Sequence, residues 1–408
     1  MSRWKNWIRW VWIGAIFLLL VAPAWAQEGL EVRVNEYSYE FARSIEFHLV
    51  AEAPKPIKRV FLIYNLGQSG VTHKQAPDFT PGKSIEASWK WELGRGALAP
   101  GTLIKYYWRL EAEDGTVFKT EPVSFRYEDN RFKWRSLQSG PVTIYWYKGT
   151  EDSARSLLKA AVEALDRLQE EMGIEFQGTA NIYVYASRGE MKDAVPSHSQ
   201  VFDEATVTLG MVLSEDTIVV LGSASNVEKI IAHELSHLVV GKAVENPLAS
   251  PLPRWLDEGL AMYAEGELPP SNALALEQAI REDKLISVRS LSGYVGEPEK
   301  VDLFYAEAYS IVEFLLKQYG KEKMREFLSQ FASGATQEEA LKKVYGLSID
   351  ELDARWRKYL REKARPTSPR PTPVFPCFAP AGLGAAGMAG VWFLRRRGNR
   401  QGRSTCLG

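Results

Sequence analysis

Cysteine is nearly absent from this chain: of its 408 residues only Cys377 and Cys406 carry a thiol, and both lie close to the C-terminus. The remainder therefore cannot be a disulfide-stapled scaffold and must be stable through its core and any metal it holds, which is feasible at this length. Histidine is scarce too, with five residues, and the formal net charge is only −1. That near-neutrality hides basic ends, with three Lys/Arg in residues 1–26 and five in 395–408, and no acidic residue in either. Between them stand 42 basic and 51 acidic side chains, a balance that argues against nucleic acid as a partner and favours solubility near an anionic surface. No internal repeat and no phosphate-cradling glycine loop is present, so solenoid and nucleotide-binding readings have no support.

The two ends read as targeting segments. Residues 1–26 carry Arg3, Lys5 and Arg9, then the apolar run Val11 to Ala22, then Ala24-Trp25-Ala26, the small-x-small pattern of a secretory signal peptide; left uncleaved, it would be an anchor. Six prolines between Pro366 and Pro380 make an extended spacer, of which 366–373 is the linker proper. Residues 374–394 are just long enough to span a bilayer and are followed by Arg395, Arg396 and Arg397, so 395–408 is expected to be a basic cytoplasmic tail. Pro376, Pro380 and four glycines weaken that span, which leaves open a sorting tail that is later processed. Either way the expectation is an extracytoplasmic, cell-surface protein held at the membrane by its C-terminal segment.

The chemistry is concentrated in I-I-A-H-E-L-S-H-L-V-V, residues 230–240. At about 100° per residue, His233 and His237 share one helix face and can aim both imidazoles at one metal, with Glu234 beside it. Catalytic zinc takes three protein ligands and leaves a fourth place to water, whose pKa falls to about 7 on the metal. Glu234 is placed to take that proton. The apolar frame of the segment fits a buried helix, with Ser225 and Glu228 at capping-box spacing before it and Asp216 to Leu221 reading as the preceding strand.

Sixteen residues beyond His237 begins P-R-W-L-D-E-G-L-A-M-Y-A-E, Pro253 to Glu265, a second helical stretch. Trp255, Leu256, Glu258, Gly259 and Ala261 fit a W-L-x-E-G-x-A pattern, and here the chain resembles the gluzincin metallopeptidases, the compact peptidase MA-like family in particular. The resemblance implies Glu258 as the third ligand of a Zn2+ ion and Asp257 as a contact behind the ligands or with solvent. A metzincin arrangement is excluded, because Val240 and Ala243 stand where its glycine and third histidine belong. His48 on the polar phase of a strand, His73 in a Gly-rich loop and His198 in P-S-H-S-Q are poor ligands; His198 could still lean over the cleft.

Further on, Phe304 to Gly320 forms an amphipathic helix ending at a glycine. It resembles the aminopeptidase N helix whose tyrosine stabilises the tetrahedral intermediate, which implies Tyr305 as that donor, with Tyr309 one turn later as the rival. The G-x-M-E-N segment with which those relatives grip a free amino terminus has no counterpart. Ala205 to Leu213 alternates instead, as an edge strand that pairs with an extended peptide would, or as ordinary sheet.

The expected architecture is multidomain. Residues 27–130 hold six or seven strand-like runs divided by Pro81-Gly82, Pro100-Gly101 and Asp114-Gly115, and Ala87, Trp89, Trp91 and Leu93 alternate with polar residues. This suggests an all-β sandwich of immunoglobulin or fibronectin type III kind. Residues 131–365 are expected to form an α+β zincin-like (thermolysin-like) domain, with strands at Pro141 to Tyr147 and Asn181 to Ala186, a helix through Ser153 to Leu168 and a mostly helical C-terminal half closing after a Ser348/Glu351 capping box. Together these readings point to a secreted, membrane-anchored zinc metallopeptidase acting on peptide or protein substrates. The alternatives are a non-catalytic surface binding protein with a gluzincin-like domain, or a zinc hydrolase of non-peptide amides or esters.

Overall fold

The computed structural model describes residues 29–67, 70–196, 209–246, 252–293 and 298–364. The signal segment, the proline-rich linker, the 374–394 segment, the basic tail, both cysteines and His198 lie outside the described residues. Among the described residues no helix is long and apolar enough to cross a membrane.

Strands β1 (Glu31–Glu40), β2 (Ser44–Leu66), β3 (Thr72–Gln75), β4 (Gly82–Glu92), β5 (Thr102–Ala112), β6 (Val117–Lys119) and β7 (Val123–Tyr127) form one hydrogen-bonded sheet. Phe47 pairs with Trp89 on β4, whereas Tyr64 pairs with Tyr106 on β5. On a straight strand those two β2 residues would stand roughly 55 Å apart. Yet the Phe47 ring lies 4.8 Å from that of Tyr106, and Tyr64 lies 5.7 Å from Trp89. Strand β2 therefore doubles over and belongs to both layers of a sandwich. The bend falls where pairing registers slip around Glu52 to Ile57, a stretch containing Pro54 and Pro56, neither of which can donate to a ladder. This differs from the immunoglobulin arrangement expected, in which the layers are separate sheets. His73 also departs from expectation: it lies on β3, stacked 4.9 Å from Tyr64, and not in a loop.

A second sheet has the order β11-β12-β10-β9-β8, from β8 (Arg135–Ser139), β9 (Val142–Trp146), β10 (Ala180–Tyr185), β11 (Gly210–Val212) and β12 (Thr217–Leu221). Strands β9, β10 and β12 are parallel; β8 and β11 run antiparallel at the two edges. Period-two alternation divides its faces. Ile144, Ile182, Ile218 and Val220 join the core under the helices, while Tyr183, Tyr185, Val219 and Leu221 join the sandwich core. The segment between the sheets is tied down rather than loose: Tyr183 donates to Glu128, Tyr185 to the fully buried Asp129, and the Trp134 indole to the Asp129 carbonyl.

Helix α1 (Glu151–Glu170) crosses from β9 to β10, and after the short α2 (Arg188–Met191) and strands β11 and β12 the α-helices that follow among the described residues are α3 (Val227–Ala243), α4 (Arg254–Ala264), α5 (Pro270–Glu282), α6 (Val301–Ala332), α7 (Gln337–Tyr345) and α8 (Ile349–Lys363). Helix α6 is broken at Gly320, whose φ of 82° is open to glycine, so the stretch from Phe304 does end where its glycine falls. The capping box of Ser348 and Glu351 is formed. That of Ser225 and Glu228 is not: α3 starts one residue later, after Asn226, so Glu228 sits a position too early to reach back.

Candidate metal centre

Helix α3 is apolar on nearly every side, with Ile230, Ile231, Leu235, Leu238, Val239 and Val240 buried. Among its polar residues His233, Glu234 and His237 share the stripe that faces α4 and strand β11. Burial forces α3 into the core, and the helical period leaves these three polar groups turned together toward one cleft. Helix α4 reaches the same point because Gly259 lets it lie against α6: a Cβ there would stand 2.4 Å from the Ala308 carbonyl oxygen and 2.7 Å from Val312. That close approach is the physical content of the glycine in the W-L-x-E-G pattern.

Three atoms converge. Glu258 Oε2 lies 3.3 Å from His233 Nε2 and 3.6 Å from His237 Nε2. All three ligand atoms lie within 4.8 Å of one another. Ligands set tetrahedrally around zinc at about 2.0–2.1 Å stand about 3.3–3.4 Å apart. Glu258 Oε2 is also buried with no hydrogen-bond partner, a costly condition for a carboxylate oxygen unless a cation completes it. Its other oxygen accepts from Arg254, one turn earlier on α4. The donor set and the two distances to Glu258 Oε2 therefore fit a zinc ion.

The far nitrogens of both rings are occupied. His233 Nδ1 lies 2.8 Å from Glu265 Oε1, and His237 Nδ1 lies 3.0 Å from Asp257 Oδ1. Asp257 thus stands behind a histidine rather than competing with Glu258. Glu265 was not singled out by the sequence reading, although it follows Glu258 by seven residues, two helical turns on the same face. Burial by itself would lower the His233 pKa, but the nearby carboxylates of Glu258 and Glu265 outweigh it and push it up to about 10. His237 is likewise raised, burial being overcome mainly by Asp257. Burial would raise the Glu258 carboxyl, yet the neighbouring imidazoles of His233 and His237 and the Arg254 guanidinium hold it below its usual range.

Glu234 sits between the histidines and the sheet. Burial raises its pKa, only partly countered by His233, His237 and a hydrogen bond from the Val212 backbone amide. Strand β11 supplies that amide through its alternation: Leu209 and Leu213 bond to β12, which turns Val212 toward the cleft. Gly210 makes the approach possible, since a Cβ there would lie 2.6 Å from Ile230 Cγ2 and 2.7 Å from Glu234 Cγ. The described part of the Ala205 to Leu213 stretch is thus a short edge strand at the cleft. Beside it opens a cavity of about 350 Å³ lined by Val212, Glu234, His237, Leu252, Arg254 and Asp257, among others.

The two tyrosines part company. Tyr305 stands edge-on to His233, ring centroids 6.4 Å apart, while Tyr309 stacks on Tyr263 at 5.7 Å. His48 lies on β2 between Glu36 and Glu86, remote from these residues in the sandwich sheet.

No curated protein sequence matches the chain. Among solved structures, an M1 zinc metallopeptidase from Deinococcus radiodurans is similar at 14% identity over 86% of this chain and 97% of its own, with a TM-score of 0.37. The carbohydrate-binding module of the muscle glycogen-targeting subunit of Protein Phosphatase-1 is similar at 13% identity over 24% of this chain and 76% of its own, with a TM-score of 0.20. Residues 160–362, which contain every member of the cluster around Glu258, match the family model of the Peptidase MA superfamily.

Proposed function

We propose that the protein is a zinc-dependent metallopeptidase that hydrolyses peptide bonds, with His233, His237 and Glu258 holding the metal. The observation that carries this reading is the convergence of His233 Nε2 and His237 Nε2 on the buried Glu258 Oε2, which has no hydrogen-bond partner, at 3.3 and 3.6 Å, close to the separation of neighbouring ligands on tetrahedral zinc. The match of residues 160–362 to the Peptidase MA superfamily supports it.

A zinc ion held there supplies positive charge that polarises a substrate carbonyl and acidifies water. Glu234, half-buried and lifted in pKa by its removal from solvent, takes the proton of the attacking water and passes it to the leaving amine. Tyr305, beside His233, donates a hydrogen bond from its hydroxyl to the oxygen on which negative charge develops. Backbone groups on the cleft side of β11 pair with an extended peptide and set the scissile bond over Glu234. Intact Glu234 beside an intact ligand set favours an enzyme over a binding module that has lost turnover.

The chain ends support a secreted enzyme whose residues 374–394 hold it at the cell surface, membrane-anchored and extracytoplasmic, with residues 27–130 as a sandwich module in front of a catalytic domain at 131–365. Zinc per chain by elemental mass spectrometry tests the site, with Glu258→Ala and Glu234→Gln in parallel. About one zinc in the wild type, much reduced in Glu258→Ala, is expected. Glu234→Gln should keep the metal and lose about 10²–10⁴-fold in cleavage of a peptide library. A zinc-loaded Glu234→Gln protein with full turnover refutes the mechanism.

A further inference from the structure

We propose that Glu265 is a positioning residue for His233: its carboxylate accepts the Nδ1 proton and thereby turns the Nε2 lone pair toward Glu258 and the metal. The inference rests on the zinc reading above and extends it to a residue outside the W-L-x-E-G pattern. A neutral imidazole carries one N–H, so fixing that proton on Nδ1 leaves Nε2 as the acceptor. The geometry is direct, with 2.8 Å between Glu265 Oε1 and His233 Nδ1 and the two side chains 11% and 18% exposed.

Glu265 can be held to that accuracy because its backbone is pinned. It caps the C-terminus of α4, whose own last turn contains no basic residue to meet the exposed carbonyls. Two other helices supply the cations. Arg167 Nε from α1 donates to the Ala264 carbonyl at 2.9 Å, and Lys229 Nζ from α3 donates to the Glu267 carbonyl at 3.2 Å. The residues on either side of Glu265 are thus tied to the helix that carries His233 and to its neighbour. Asp257 bonds His237 in the same way, so one helix contributes both the third ligand and the carboxylates behind the other two. Asp257 also lies 3.9 Å from Arg254, which bonds Glu258, whereas Glu265 stands two turns away from Glu258. Substituting Glu265 therefore perturbs one histidine without disturbing Arg254.

The test compares three variants by zinc affinity, measured in competition with a chromophoric chelator, and by the His233 Nδ1–H resonance in nitrogen-15 NMR of the zinc-loaded protein. Glu265→Ala should lose 10–100-fold in affinity. Glu265→Gln, which keeps length and a carbonyl acceptor, should stay within about threefold of wild type and keep the resonance. Glu265→Asp keeps the charge but falls short by about 1.5 Å, one carbon–carbon bond, and should behave like the alanine variant. Glu267→Ala, at an exposed neighbour, controls for general loss of charge. Wild-type affinity and an unchanged resonance in both Glu265→Ala and Glu265→Asp overturn the proposal, and so does a loss in Glu265→Gln as large as in Glu265→Ala. If the wild type itself binds no zinc, the metallopeptidase reading falls and this inference falls with it; unchanged affinity in the variants removes the inference alone.

Discussion

Glu307→Gln should make the protein more stable at pH 8 than the wild type, and the advantage should be lost or reversed by about pH 4.5. Glu307 is fully buried on the inner face of α6. One carboxylate oxygen accepts from the Ile286 backbone amide at 3.0 Å, and the other has no hydrogen-bond partner. Arg357, the nearest cation, directs its own donors at Asp353 and at the Leu285 and Ile286 carbonyls. Burial therefore dominates and pushes the Glu307 carboxyl up to about 8. The folded state holds this proton where the unfolded chain has already released it. Stability is unaffected below about pH 4.5, declines as pH rises toward about 8, and then levels off. The shift of about three and a half pH units, at about 1.4 kcal/mol each, sets a ceiling of about 5 kcal/mol on the total decline. Glutamine does not titrate, and any cost of its unpaired amide, about 1–3 kcal/mol, is the same at every pH. Urea denaturation of both proteins at pH 5, 6.5 and 8 reads the difference directly. If the stability gap between them does not change with pH, Glu307 is not held protonated by burial and the reasoning is wrong.

Two further predictions concern the cleft. Gly210→Ala places a Cβ against Ile230 and Glu234, and moving Glu234 by about 1 Å should lower turnover by about 10²-fold while zinc content stays at one per chain; undiminished turnover would show that β11 does not set the position of Glu234. Tyr305→Phe should lower kcat by about 10²–10³-fold with KM little changed, whereas Tyr309→Phe, whose ring stacks on Tyr263 away from His233, should retain kcat within about twofold. Equal losses in the two tyrosine variants would remove the oxyanion role from Tyr305.

Local features were legible in the order of the residues. The strands β9, β10 and β12, the helix α1 and the break at Gly320 lie where periodicity, apolar runs and turn residues placed them, to within one or two residues. These features depend on neighbours a few positions apart, and so does the shared face of His233 and His237. The failures are local too when the margin is one residue, as at Asn226, where a shift of the helix start undid the Ser225 capping box.

Sequence by itself determined which side chains could serve a metal, because the 3.6-residue period puts His233 beside His237 and an apolar frame compels α3 into the core. It also determined that no disulfide could assist the described part of the chain. Only the tertiary structure decided that Glu258 Oε2 comes within 3.6 Å of both rings, that Glu265 and Asp257 back one histidine each, and that Tyr305 rather than Tyr309 faces His233. The doubling of β2 was decided at the same level, by rings that are seventeen residues apart on one strand yet share one core. Periodicity determines the direction a side chain takes from its own helix or strand; where two elements meet depends on the packing of Gly259 on Ala308 and Gly210 on Ile230, contacts between segments that are distant along the chain.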